Sequence, residues 1–443
     1  MSQFSKTTPF YWCLRVYTNF IYKRWFSSVE VNGTHHIPEG EPVIFAPNHQ
    51  NAFMDAMALL SSSPQPVVFW AKADLFENKL IGSILRAIKI MPAYRMRNGF
   101  SNLKKNEESI KDSDDVLTHH LFLCLMPEGG QDEKRKLRPL VKGIFRSAFS
   151  AQEKLAENDW VKIIPTGIDY GHYDKSGRHL VVNFGNPISL KDYMQLHSEN
   201  APVALNTMKE ELSKRMKPLM LDIQSDDNYD TFYVASYLYN LPMLEILNIS
   251  DNETNRLAAR KRIVEALEKA EQSVQCTELL KELREQCLSW SETHNDTAFC
   301  SRVQEYVGID MDLIVKTIYL IITVPLYLVG VIANLPTIIA SKVAGAKTHG
   351  TGFEASVKFG LAGILSPILY AIETTIYAIF FAPDLLTTIA FFFLLPVSAL
   401  FFLKYRWRWQ YVIERFRNAV KKPSEPQRIK SLVQQIFSIV NNA

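Results

Sequence analysis

EPVIFAPNHQNAFMD, Glu41 to Asp55, is the stretch whose reading decides the fold. Val43 to Ala46 is a short apolar run, and it ends in Pro47-Asn48-His49. An apolar segment with a single acid, Asp55, follows directly. A short β-rich run, a tight turn and a helical run make the first half of a β–α unit. His49 and Asp55 stand six positions apart, which on one continuous helix rotates them about 120° from each other. They can therefore meet only if His49 sits in the turn and Asp55 lies about one turn inside the helix. Asn51 is a suitable cap for that helix. Placed so, Asp55 can bond one ring nitrogen, set the tautomer and leave the other nitrogen free as a base. Taken alone, such a pair is more often a satisfied surface or core pair.

The same alternation extends outward. Strands are predicted at Val43–Ala46, Val67–Trp70, Ile88–Tyr94, Leu121–Met126, Val161–Gly167 and Leu180–Phe184. Helices are predicted near Phe53–Leu60, Leu80–Ala87, Leu103–His119 and Val141–Leu155. This is the pattern of an α/β fold, a mostly parallel central sheet flanked by helices. From about Pro202 to Gly308 the chain reads helical and polar without strands, a helical insertion or connector.

The composition then shifts. Thr317 to Ser341 has no charged residue, and Phe359 to Leu403 has only Glu373 and Asp384. A bilayer core takes about 20 apolar residues per helix. The second block fits a hairpin turning at Ala382-Pro383-Asp384. The first holds Pro325 and Pro336 and reads as broken or re-entrant. Lys342, Lys347 and Lys358 precede the second block, and Lys404, Arg406 and Arg408 follow it, which puts both clusters on the cytoplasmic side. Trp407 and Trp409 suit an interfacial anchor. The predicted parts are thus an N-terminal amphipathic helix (1–28), the α/β domain (29–200), the helical connector (201–310), C-terminal membrane helices (311–410) and a cytoplasmic tail (411–443).

Other features bound the function. Net charge is +3 on 49 basic and 46 acidic residues, too balanced for a nucleic-acid partner. Five cysteines without a C-x-x-C pair suit a reduced environment and make a zinc site or disulfide framework unexpected. Near the N-terminus Phe10, Leu14, Tyr17 and Ile21 recur at helical spacing beside Lys6, Arg15, Lys23 and Arg24. That suits a helix in a membrane interface, or an amphipathic helix packed on its own domain.

Three further stretches close predicted strands. MPAYRMRNG (91–99) brings Arg95 and Arg97, whose guanidinium forks match phosphate oxygens. MPEGG (126–130) brings Glu128 and a glycine pair, with Lys134, Arg135, Lys136, Arg138 and Lys142 after it. Gly129 and Gly130 let backbone amides approach an anion closely, and Glu128 can orient an arginine or a substrate hydroxyl. IIPTG (163–167) is a buried strand ending near Pro165.

In order and spacing these four blocks resemble the glycerol-phosphate and lysophosphatidate acyltransferase superfamily, with its N-H-x4-D, arginine, F-P-E-G and V-P-like blocks. The resemblance covers roughly Val29 to Ile188, with the lead-in VEVNGTHHIPEGEPVIF and the exit FGNPISL. Two departures stand out: five residues separate His49 from Asp55, and Met126 replaces the usual Phe. The longer spacing, with the Gly-Gly of MPEGG, resembles the fungal glycerol-3-phosphate/dihydroxyacetone-phosphate acyltransferase branch. The resemblance implies that His49, oriented by Asp55, takes a proton from a glycerol hydroxyl, and that this oxygen attacks the thioester of acyl-CoA or acyl carrier protein. It further implies that Arg95, Arg97, Glu128 and Gly129 hold a phosphorylated glycerol acceptor and that Pro165 shapes the site. No metal or cofactor is expected, and the lipid bilayer is the expected partner. The alternatives are another lyso-lipid acceptor, a non-catalytic lipid-binding member of the fold, and a small transporter built on the C-terminal segments.

Overall fold

The computed structural model describes residues 4, 6–94, 101–306, 308–421 and 423–442. They form two compact units, the first built from residues up to 23, 29–169 and 180–222, the second from 24–28, 170–179 and 223 onward.

The first unit opens with α1 (Pro9–Trp25), followed by β1 (Ser28–Asn32), β2 (Val43–Pro47), α2 (Ala52–Ser62), β3 (Val67–Lys72), α3 (Lys79–Ala87) and β4 (Ile90–Ala93). Next come α4 (Ser101–Thr118), β5 (Phe122–Cys124), α5 (Gly143–Gln152), β6 (Lys162–Tyr170), β7 (His179–Phe184), β8 (Ile188–Ser189) and α6 (Met194–Met216). The strands form one eight-stranded sheet, ordered β1-β7-β6-β2-β5-β3-β4, with β8 on β6. β2 pairs in parallel with β5 and β6, and β3 with β5 and β4, so the carboxyl ends of these five strands share one edge. All six predicted strands and all four predicted helices of this region form. Two strands were not foreseen, β1 and β8. β1 is half-buried throughout, and β8 is two residues long, too short to carry a period.

β2 is buried at every position, as a central parallel strand covered on both faces must be. Phe45 packs edge-on against Phe122 at 5.4 Å. Gly167 in β6 admits no side chain, because a Cβ there would fall 2.2 Å from the carbonyl oxygen of Leu219. α1 uses two faces. Tyr11, Arg15 and Tyr22 are buried, Tyr22 Oη donates to Met54 O (2.9 Å) and Arg15 Nη2 to Ser63 O (2.7 Å), so α1 braces both ends of α2. Phe10, Trp12, Val16 and Phe20 remain exposed. The helix is therefore packed on its own domain along one face and apolar toward solvent along the other.

The second unit holds α7 (Tyr229–Leu238), α8 (Asn240–Leu247), α9 (Glu253–Glu271), α10 (Thr277–Thr293), α11 (Thr297–Val303), α12 (Met311–Lys347), α13 (Glu354–Phe381), α14 (Leu385–Lys421) and α15 (Glu425–Asn442). α12, α13 and α14 are each long and apolar enough to cross a membrane. α12 is unbroken over 37 residues, which corrects the expectation that the first apolar block is interrupted at its prolines. Proline's φ is itself helical, and in an apolar surround abandoning the neighbouring backbone bonds costs more than the ones each proline forfeits.

These three helices meet at a polar node. Asn334 Nδ2 donates to Ser398 Oγ (3.1 Å), and Tyr370 Oη donates to Asn334 Oδ1 (2.6 Å). From the node each pair of helices shares one segment: Leu320 with Tyr405, Gly345 with Lys358, and Tyr377 stacked on Phe391 at 4.2 Å. One proline per helix, Pro336, Pro367 and Pro396, lies within three residues of the node.

Candidate active site

The site grows from the β2–α2 turn. Asn48 directly follows β2 and is locked to β6, giving Nδ2 to Ile168 O (3.0 Å) and accepting Ile168 N–H at Oδ1 (2.7 Å). This buried asparagine was not singled out from sequence, although its place between Pro47 and His49 at a strand end marks it. The chain then turns left-handed at Ala52 (φ 44°), a conformation costing an alanine about 1–2 kcal/mol. That turn accommodates the five-residue spacing and lets Asp55 face back toward His49.

Asp55 is fully buried, and its Oδ2 collects three donors: His49 Nδ1 at 2.9 Å, Gln50 N at 2.8 Å and Asn51 N at 2.8 Å. Asn51 occupies the cap position of α2, but its side chain makes no capping bond. The carboxylate one turn inside caps the helix instead, where the helix dipole also favours a negative charge. An ionised carboxylate only accepts, so Nδ1 carries the proton and Nε2 holds the lone pair. The imidazole remains partly exposed, at 19%, and Nε2 has no polar partner among the described residues.

MPEGG closes over the turn from β5. Glu128 accepts His49 N–H at Oε1 (2.8 Å), and its Oε2 takes Arg138 Nε (3.0 Å) and Arg138 N (3.2 Å). Arg138 also reaches the Gly130 carbonyl. Burial raises the Glu128 carboxyl above its usual range, while the His49 N–H and then Arg138 draw it down. Gly129 is left-handed (φ 67°), and its N–H closes a turn onto Met126 O at 3.1 Å, so that amide serves the loop rather than standing open to an anion. Gln50 Nε2 donates to Lys134 O (3.0 Å), and Asp132 N to His49 O (3.3 Å), which ties the basic loop to the dyad. Arg135 lies buried in that loop, 3.9 Å from Asp169.

The remaining expected residues are spread out. Pro165 sits inside β6 opposite Ala46, and its carbonyl accepts Gly185 N–H (2.8 Å). Arg95 and Arg97 follow the carboxyl end of β4 and lie outside the described residues. β4 is three strands from β2, roughly 14 Å along the sheet edge. Cys124 ends β5; burial, and then the Asp55 charge, push its thiol well above the usual range, so it offers no thiolate to the site. Among the described residues no three His, Cys, Asp or Glu side chains gather to hold a metal ion.

A turn-borne imidazole bonded to a buried acid thus stands at the carboxyl edge of a parallel sheet. Residues 28–169 match the family described as Acyltransferase, and the chain spans well under half the length of the curated relatives it matches. Its relatives include glycerol-3-phosphate O-acyltransferase 1 of Saccharomyces cerevisiae, 29% identical over 129 residues, covering 29% of this chain and 17% of that enzyme. The 1-acyl-sn-glycerol-3-phosphate acyltransferase alpha of Mus musculus is 27% identical over 124 residues, 28% of this chain and 42% of that one. The crystal structure of the 1-acyl-sn-glycerophosphate (LPA) acyltransferase PlsC from Thermotoga maritima superposes with a TM-score of 0.34 at 16% identity, over 46% of this chain and 78% of that one.

Proposed function

We propose that this chain is a membrane-bound O-acyltransferase that moves a fatty acyl group from acyl-CoA or acyl carrier protein to a hydroxyl of glycerol-3-phosphate or its 1-acyl derivative. The observation that carries this reading is the 2.9 Å bond from His49 Nδ1 to a fully buried Asp55, with Nε2 left as the base. The acceptor hydroxyl gives its proton to Nε2, and its oxygen attacks the thioester carbon. Collapse of the adduct expels the thiolate, which recovers that proton from His49. The reading is tested by acyl transfer with the reconstituted protein, supplying each acceptor in turn with each thioester. Transfer to a non-phosphorylated lyso-lipid alone, or to none, overturns it.

Arg95 and Arg97 are proposed to hold the acceptor phosphate. Arg95→Ala or Arg97→Ala is expected to raise KM for a phosphorylated acceptor by about 10- to 100-fold, since a charge-assisted bond is worth about 1.5–3 kcal/mol. If KM is unchanged in both variants, the phosphate is held elsewhere.

We further propose that the second unit enters and leaves the bilayer on one face, the cytoplasmic one. α15, after the apolar helices, packs on α10 before them, with Arg428 Nε to Glu282 at 2.6 Å and Phe437 stacked on Tyr239. The polar segment 170–179 bonds Trp407 Nε1 through Ser176 (3.1 Å) and accepts the Ala355 N–H at Asp174. A segment carrying Asp174, Lys175 and Arg178 stays outside hydrocarbon, so it favours one side for both ends of α12. Single cysteines at Lys347 and Arg408 should react with an impermeant maleimide from the same side. Labelling from opposite sides refutes this topology.

A further inference from the structure

α3 is built inside out. At 100° per residue Leu80, Ile81, Ile84 and Leu85 fall on one arc, and Lys79, Gly82, Ser83 and Arg86 on the other. A helix packed on its own domain buries the apolar arc. Here the only residue of the helix that is buried is Gly82, close to the Phe76 carbonyl, while Leu80 is 71% exposed and Ile81 and Ile84 also face solvent. Leu75, in the preceding turn, is exposed as well. The start of the helix and the turn before it are tied together locally. Asn78 Oδ1 caps it, accepting from Leu80 N (3.0 Å) and Ile81 N (3.2 Å), and the Arg86 guanidinium lies 5.2 Å from the centre of the Phe76 ring.

Three observations choose a lipid surface as the occupant. First, α1 carries an apolar stripe of its own in the same unit, with Phe10 64% and Val16 67% exposed. Lys89, just after α3, donates to Phe4 O (2.5 Å) and Lys6 O (2.8 Å) and stands 5.4 Å from the Tyr11 ring, which joins the end of α3 to the start of α1. Second, Lys72, Lys79 and Arg86 exceed Asp74 and Glu77 by one positive charge over residues 72–87, the sign that anionic headgroups attract. Third, the same chain carries three helices long and apolar enough to cross a membrane.

We infer that the arc of Leu75, Leu80, Ile81 and Ile84 is a second lipid-surface contact, distinct from the long apolar helices, and that it holds the catalytic edge of the sheet in the headgroup layer. α3 follows β3 at the same carboxyl edge that bears His49. A long acyl chain then passes between bilayer and site without entering water, where each exposed methylene shifts the equilibrium about fourfold against it. This consequence rests on the acyl-transfer reading; the lipid contact does not.

The test uses the full chain in phosphatidylcholine–phosphatidic acid vesicles. With Cys13→Ser removing the exposed thiol and the other four cysteines buried, single cysteines replace Leu80, Ile84 or Ser83 and carry an NBD fluorophore. Doxyl-labelled lipids should quench the probes at Leu80 and Ile84, and aqueous iodide only the probe at Ser83. Iodide quenching of all three alike, or quenching at Leu80 that follows protein concentration rather than doxyl lipid, overturns the inference. Leu80→Glu with Ile84→Glu should lower transfer to a long-chain lyso-acceptor in vesicles about tenfold or more, and leave transfer from a short-chain acyl-CoA to a water-soluble acceptor within about twofold. An equal loss with both acceptors points to damage at the site and also overturns it. If the unaltered chain acylates neither acceptor, the functional reading fails while the quenching result still decides the lipid contact.

Discussion

His49→Ala is expected to cut acyl transfer by about 10²–10⁴-fold, the range a positioned general base supplies, while the chain stays folded. Folding survives because the imidazole makes a single side-chain bond, to Asp55 at 2.9 Å, whereas the turn itself is held by backbone bonds to Glu128 and Asp132. Asp55→Asn discriminates further. Its amide oxygen can keep the two backbone bonds from Gln50 and Asn51. It cannot, however, stabilise an imidazolium, so a loss approaching about 10⁴-fold is expected with little change in Tm. Steady-state kinetics beside a thermal melt separates the cases. Turnover near the unmutated level in His49→Ala removes His49 from the chemistry.

Glu128→Ala should act on kcat more than on KM. The side chain touches the His49 N–H with one oxygen and Arg138 with the other, so it stands behind the base. Deleting it strands a buried backbone donor and a guanidinium, at a cost of about 3–5 kcal/mol. A His49 turn that shifts by about an ångström can lose about 10²-fold in rate. Glu128→Gln is the more selective probe, since its amide oxygen keeps an acceptor for His49 N–H while its NH2 group replaces the oxygen that accepts from Arg138. A rise in KM for the acceptor with kcat unchanged in Glu128→Gln would instead assign Glu128 to substrate binding, as the resemblance implies.

Some of this was legible in the chain alone. Val43–Ala46 and Val161–Gly167 read as buried strands because strands covered on both faces leave apolar runs that depend on no partner. The charge-free block of α12 and the nearly charge-free block spanning α13 and α14 read as membrane-capable for the same reason, since length and hydropathy are sums over adjacent residues. His49 and Asp55 could be paired in advance because only a turn at Asn51–Ala52 brings positions six apart together. Other features required the tertiary structure. That Asp55 rather than Asn51 caps α2, that Glu128 holds the backbone of His49, and that the Gly129 amide closes its own loop depend on contacts between β2, β5 and the loop after them, 80 residues apart in some cases. Local spacing carries no record of such partners. α3 is the clearest case. Its period announces an amphipathic helix in any setting, but only the packing of Gly82 beneath Phe76 decides that the apolar arc points away from the domain.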